Sequence, residues 1–189
     1  MATRNRGTGA PVRIVRRRGA IALAAMAALG FVPTARATAA GVLAATWREA
    51  GHHYAGLLAA TPDGMQAIHR ESLPSRAHGV LVEAGGTVVI ASRRPGDWLL
   101  RFDPSGRSPA EWWWSEGEHV FNGHAVAARD GRRLFTTETS LLDGAGSIAV
   151  RDARTMQLLA RWPTGGIDPH ELVVAPDGTV WVANGGIEI

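Results

Sequence analysis

Short apolar and β-branched runs alternate along the chain with turns that contain glycine. Three of these runs open on a histidine: His78-Gly-Val-Leu-Val, His124-Ala-Val-Ala-Ala and His170-Glu-Leu-Val-Val. Each passes through Gly85-Gly86, Asp130-Gly131 or Asp177-Gly178 into a second apolar or β-branched run, Thr87–Ser92, Arg133–Glu138 or Thr179–Asn184. Strand, tight turn and strand is the signature of a hairpin. The three histidines are 46 residues apart, and a fixed period of about 40–50 residues signals one propeller blade per repeat. Trp98–Asp103 and Ser147–Asp152 supply third strands, and Glu111–Ser115 and Gln157–Pro163 fourth, outer strands. The pattern therefore predicts an all-β fold, a β-propeller of four-stranded antiparallel blades.

The segment before the first histidine also reads as strands. Gly41–Arg48, Tyr54–Thr61 and Met65–Leu73 form a meander, with Pro62-Asp63-Gly64 as one turn. It has three strands where a blade has four, and propellers often close by letting the far end of the chain supply a missing strand. A ring holds roughly 4–8 blades, and six or seven repeats of this length need roughly 280–320 residues. The 189 residues hold about three and a half blades. The expectation is a fragment in which residues 38–189 are the N-terminal half of a propeller, seven-bladed when complete.

Charge changes the picture at one end only. All 20 basic residues are arginine, and seven of them precede residue 38, whereas all 17 carboxylates follow it. Removing the first 37 residues leaves 13 arginines against 17 acids, a net of −4. A mildly acidic body lacks the positive face that neutralises phosphates, so nucleic acid is not an expected partner. The basic end reads as an export signal over residues 1–37. Arg16-Arg17-Arg18 precedes the apolar run Gly19–Val32, and Ala35-Arg36-Ala37 supplies small residues for cleavage. The run is 14 residues, short of the ~20 that span a bilayer, so no membrane association is expected after cleavage. The arginine pair before Gly19-Ala20-Ile21 points to the twin-arginine route, although Ala20 is only weakly hydrophobic. The expected location is periplasmic. With no cysteine, disulfides, thiolate metal sites and cysteine nucleophiles are excluded.

The repeat also locates a candidate site. In a hairpin the start of the first strand and the end of the second share one end. The second strand ends 14 residues after each histidine, giving the pairs His78/Ser92, His124/Glu138 and His170/Asn184. These pairs are expected around one mouth of the channel, with Glu171 and Asp168 adding carboxylates and Arg76 and Arg93 adding cations. Imidazole, carboxylate and amide oxygen together suit divalent cations such as iron, manganese or zinc. The metal reading takes His78, His124, His170 and Glu138 as ligands, and Ser92, Asn184, Glu171, Asp168, Arg76 and Arg93 as the polar rim. A structural reading stays open beside it, because repeated histidines also tie loops to neighbouring strands.

Other residues carry less. Trp112-Trp113-Trp114 on an outer strand is read as packing between blades, with a stacking platform as the alternative. His52-His53 is read as a solvated pair at a turn, with a metal pair as the alternative. Ser92 and Ser140 lack a nucleophile-elbow context, and His69 and His119 have no clear partners.

The residues now assembled resemble the family known as domain of unknown function 1513, exported bacterial proteins with a seven-bladed, YVTN/WD40-like propeller. The matching stretches are Arg76-Ala-His-Gly79, Phe121-Asn-Gly-His124, Leu134-Phe-Thr-Thr-Glu138, Gly146-Ser-Ile-Ala-Val-Arg-Asp152, Gly166-Ile-Asp-Pro-His-Glu-Leu172 and Ala183-Asn-Gly-Gly-Ile187. The family pattern continues past that last stretch with threonine, histidine and proline, where this chain has Glu188-Ile189. The resemblance implies a role near iron acquisition, with imelysin-like and other periplasmic iron-uptake proteins as partners, and it tilts the metal toward iron. The expected function is then an accessory binding protein in metal uptake, not primarily an enzyme. Two alternatives are a metal-dependent hydrolase of the lactonase type, with Glu138 and Asn184 holding the cation, and a protein-interaction scaffold.

Overall fold

Apolar runs without alternation belong to strands covered on both faces, and β6 (Val88–Ser92) and β7 (Trp98–Phe102) are buried at every position. They belong to a computed structural model that describes residues 12–15, 41–115 and 117–187. Among these residues there are fourteen strands and no helix. The first blade is a three-stranded sheet of β2 (Val42–Glu49), β3 (His52–Thr61) and β4 (Gly64–Leu73). The second runs β5 (Ala77–Val82), β6, β7 and β8 (Glu111–Trp114) in order. The third runs β9 (His119–Ala127), β10 (Arg133–Ser140), β11 (Ala145–Asp152) and β12 (Leu158–Ile167). The fourth holds β13 (Pro169–Val174) and β14 (Val180–Asn184), with β1 (Val12–Val15) parallel along β14. Every other strand pairing is antiparallel. Residues 1–11 and 16–40, most of the expected export signal, lie outside the described residues.

The first strands of successive blades lie side by side, β2 by β5, β5 by β9 and β9 by β13. That arc of inner strands lines one side of the propeller axis and brings the three histidine-bearing strands together. Each gap between blades holds one apolar cluster. Ala55, Leu73, Val88, Ile90, Trp98, Leu100 and Phe102 fill the first gap, and Val89, Ala91, Leu99, Phe121, Leu134 and Met156 the second. Phe135, Ile148, Val150, Leu172, Val180 and Val182 fill the third. Alternate residues of β6 and β7 thus face opposite neighbours, so one strand glues two interfaces. Full burial of a Val, Leu, Ile or Phe side chain contributes about 1.5–3 kcal/mol, and this is what holds blade to blade.

The tryptophan run serves the same packing. Trp112 packs on the first cluster and Trp113 on the second, while Trp114 stays 54% exposed. The turns of the three inner hairpins each carry a glycine in the left-handed region, at φ 86° for Gly86, 65° for Gly131 and 85° for Gly178. Each donates its amide three residues back, to Glu83, Ala128 and Ala175. A side chain at positive φ is strained, so the turn chemistry itself fixes these glycines.

Candidate functional site: three histidines on three blades

Each repeat histidine sits at an irregularity of its ladder. On β5 the pairing jumps from Ala77 opposite Ser92 to Gly79 opposite Ala91, leaving His78 without a partner. On β13 it jumps from Pro169 opposite Asn184 to Glu171 opposite Ala183, leaving out His170. On β9 the register shifts between Phe121 opposite Glu138 and Ala125 opposite Thr136, and the looped-out stretch includes His124. A β-bulge bends the strand and re-aims the extra side chain. Here three bulges turn three imidazoles toward one point.

Two glycines let the inner strands close up. A Cβ on Gly79 would lie 2.2 Å from the carbonyl oxygen of Gly123. One on Gly123, whose φ is 98°, would lie 2.9 Å from the His78 ring. The backbones of the second and third blades therefore touch beside the histidines.

The imidazoles form a compact group. One ligand atom from each of His78, His124 and His170 lies within 4.8 Å of the other two. His78 Nε2 and His124 Nε2 are 3.1 Å apart, and the His170 ring centre lies 5.2 Å from that of His124 and 6.0 Å from that of His78. An ion at the usual 2.0–2.1 Å from two nitrogens so spaced would subtend roughly 100° between them, within the range of tetrahedral and octahedral sites. His124 Nδ1 lies 3.3 Å from Glu171 Oε1 on the fourth blade. A proton on Nδ1 directed at that carboxylate leaves the Nε2 lone pair facing the group. This is the arrangement that orients metal-binding histidines. His170 Nδ1 is buried without a hydrogen-bond partner.

The surroundings favour the neutral form at His78 and His124. Burial lowers the affinity of His78 for its proton below the usual 6.5, aided by His170 and by Arg93, Arg94 and Arg76. Burial also lowers His124, with His78, His170 and Arg94 adding to the effect and Glu171 opposing it. Neutral imidazole is the form that binds metal. A cavity of about 80 Å³ lies against the group, lined by His78, Arg93, Arg94, Asn122 and His170. Asn122 is fixed from behind, donating to Thr139 Oγ1 at 2.8 Å and to the Pro169 carbonyl at 3.3 Å.

The residues 14 positions on do not join the histidines. Glu138 is 1% exposed and faces the gap between the second and third blades. Its carboxylate accepts from Arg151 at 2.5 Å, from Arg161 at 2.8 Å and from Thr136 at 2.9 Å. The expectation that Glu138 ligates a metal with the histidines is corrected: two guanidiniums take both its oxygens. Ser92 is buried opposite Ala77, giving its hydroxyl proton to the Trp98 carbonyl at 2.7 Å and accepting from the Trp98 amide. Asn184 donates to the Thr164 carbonyl at 3.2 Å. Both side chains hold loops of the fold. The physical reason is the bulge, which puts the 14-residue partner across from a neighbour of the histidine.

The rest of the expected rim divides. Glu171 and Arg93 stand at the histidines as expected, and Arg76 lies close enough to His78 to act on its proton. Asp168 is buried at φ 52° and is paired with Arg94, a residue the spacing argument did not single out. His69 lies 3.0 Å from Glu71 and stacks on Phe102, and His119 lines the cleft that holds Glu138. His52 and His53 separate, His52 standing opposite Glu49 and His53 opposite Arg48.

With this geometry in place, comparison with known proteins adds two findings. The family model described as "Protein of unknown function (DUF1513)" matches residues 71–189, which include all three histidines and their bulges. The chain belongs to this family. The resemblance carried by the repeat motifs is thereby established. Among solved structures, the periplasmic gluconolactonase of Pseudomonas aeruginosa is similar in fold. The TM-score is 0.51 at 18% identity, and the match covers 70% of this chain and 44% of that one. The chain thus spans less than half the length of that structure, and the likeness speaks for the β-propeller fold alone. No curated protein matches the chain.

Proposed function

We propose that this propeller binds one divalent transition-metal ion at the mouth of its channel, through His78, His124 and His170. The observation that carries the reading is the convergence of three imidazoles from three separate blades within 4.8 Å, with Glu171 behind one of them. Bulges at all three positions support it, since a purely structural histidine needs no shared focus. Three nitrogen donors suit zinc, nickel, copper and iron alike. The iron-uptake role that the resemblance implies, with its imelysin-like partners, therefore draws on the resemblance and on no residue of the site. Export to the periplasm is part of the proposal and is supported by the arginine-led apolar leader in residues 1–37.

A direct test is calorimetric titration of zinc, cobalt, nickel and ferrous iron into metal-stripped protein, with His124→Ala and His170→Ala beside it. One ion per chain is expected, with affinity lost in both variants. Equal affinity in the wild type and both variants would sink the idea.

A second reading is favoured by the open side of the group and by the fold shared with a gluconolactonase. Three protein ligands leave a position for water or substrate, as catalytic sites require and closed structural sites do not. Metal-dependent opening of a lactone would follow from that. The expectation that Glu138 and Asn184 hold the cation in such an enzyme is replaced by the three histidines. A lactone screen with and without chelator separates hydrolysis from simple binding.

A further inference from the structure

His78 has a second side. Away from the other two histidines it lines a cleft of about 520 Å³ together with Arg76 of the second blade and Trp47, Arg48 and His53 of the first. That volume lies in the range of roughly 300–1,000 Å³ typical of small-molecule sites. Among the described residues every ionisable group on its wall is basic, and no carboxylate lines it. The body of the chain is otherwise acidic, so this cleft runs against the overall charge.

Arg48 on β2 and His53 on β3 stand directly opposite each other across the ladder. An opposite charge there would support the strand pair, and Arg48 has none across from it. The next pair along that ladder shows the contrast: Glu49 there is bonded to Arg70 at 2.8 Å. The guanidiniums of Arg48 and Arg76 form no hydrogen bond or ion pair among the described residues. Two unpaired guanidiniums and an imidazole around one concave space is the arrangement that recognises oxyanions, since the planar fork matches a carboxylate or phosphate with two parallel bonds.

We infer that the cleft between the first and second blades binds a small organic oxyanion, a carboxylate or phosphate ester, held by Arg48, Arg76 and His53 beside His78. Trp47 provides an apolar wall for the carbon skeleton. The inference rests on the proposed metal centre only at His78, the residue common to both. There the bound anion would lie against the side of the His78 ring opposite the other two histidines.

Calorimetric titration of citrate, inorganic phosphate and glucose into the metal-stripped chain tests this. Citrate or phosphate binds and glucose does not. Citrate alone assigns the site to carboxylates, and phosphate alone to phosphoryl groups. The double variant Arg48→Ala/Arg76→Ala loses at least tenfold in affinity, while Arg48→Lys/Arg76→Lys, which keeps the charge, retains most of it. Both substituted arginines are exposed, and circular dichroism confirms that each variant folds. His124→Ala keeps anion binding while losing metal, so failure of the metal centre and failure of the anion site read separately. No heat from either anion, glucose binding as well as citrate, or full affinity in Arg48→Ala/Arg76→Ala overturns the inference.

Discussion

Gly123 stands so close to His78 that any side chain at 123 would press on the imidazole, its Cβ 2.9 Å from the ring. The glycine belongs to β9 and the histidine to β5, so the contact sets the spacing of two blades as well as the pose of one ring. Gly123→Ala adds a Cβ at φ 98° as well as the clash. It is expected to displace His78, costing about 1–3 kcal/mol in unfolding free energy and weakening metal binding. Denaturant titration and metal calorimetry on the one variant read both effects.

Glu171 touches the group only through His124. Glu171→Gln keeps size and shape but withdraws the charge that orients Nδ1–H. Loss of such an outer carboxylate typically lowers metal affinity roughly 10–100-fold. Because Glu171 is half exposed, stability should hardly move. Competition titration against a chromophoric chelator measures the first, thermal melting the second.

Glu138 gives the opposite pattern. It is buried between Arg151 and Arg161, so Glu138→Ala strands two guanidiniums that are 13% and 31% exposed. Breaking a buried pair by removing one partner costs about 3–5 kcal/mol, and the partial exposure of Arg161 places the expectation at the lower end. Metal affinity should stay within twofold of wild type. A tenfold loss of affinity in a folded Glu138→Ala protein would return this residue to the metal site.

Asp152 supplies a pH signature away from the mouth. Its carboxylate accepts from the Thr155 amide at 2.8 Å, the Thr155 hydroxyl at 3.0 Å and the Arg154 amide at 3.0 Å. These bonds, those of Thr155 first, hold its pKa below the ordinary value of 3.8. A carboxyl group depressed in the folded state stabilises above its unfolded value and loses that contribution as pH falls through the folded one. The stability gap between wild type and Asp152→Ala should therefore be full at pH 6 and shrink below about pH 3.8. A gap that stays constant to pH 2 refutes the assignment.

The fold was legible because a propeller repeats its inner hairpin, and His78, His124 and His170 mark the same point in three copies. The convergence of the three rings followed from the ring geometry. The partners 14 residues on were misread, because counting assumes an unbroken ladder. One extra residue before Gly79 and one before Glu171 put Ser92 opposite Ala77 and Asn184 opposite Pro169. The arginines that capture Glu138 lie 13 and 23 residues further along, with no counterpart spacing in the other repeats to betray them. Gly79 and Gly123 were visible as letters beside histidines, but only the approach of two backbones explains why no larger residue stands there.

Arg94 and Asp168 draw a chord across this geometry. Arg94 lies in the connection between β6 and β7, Asp168 at the junction of β12 and β13, and the inner strand of the third blade passes between their sheets. Adjacent blades are glued by apolar clusters, whose attraction has no direction. A charge pair that joins the second blade to the junction of the third and fourth is directional, and its length depends on the rotation between blades. The pair thus fixes the local curvature of the propeller at the level of the histidines. Any change that opens or tightens the ring there would be felt first as a change in the focus of the three imidazoles.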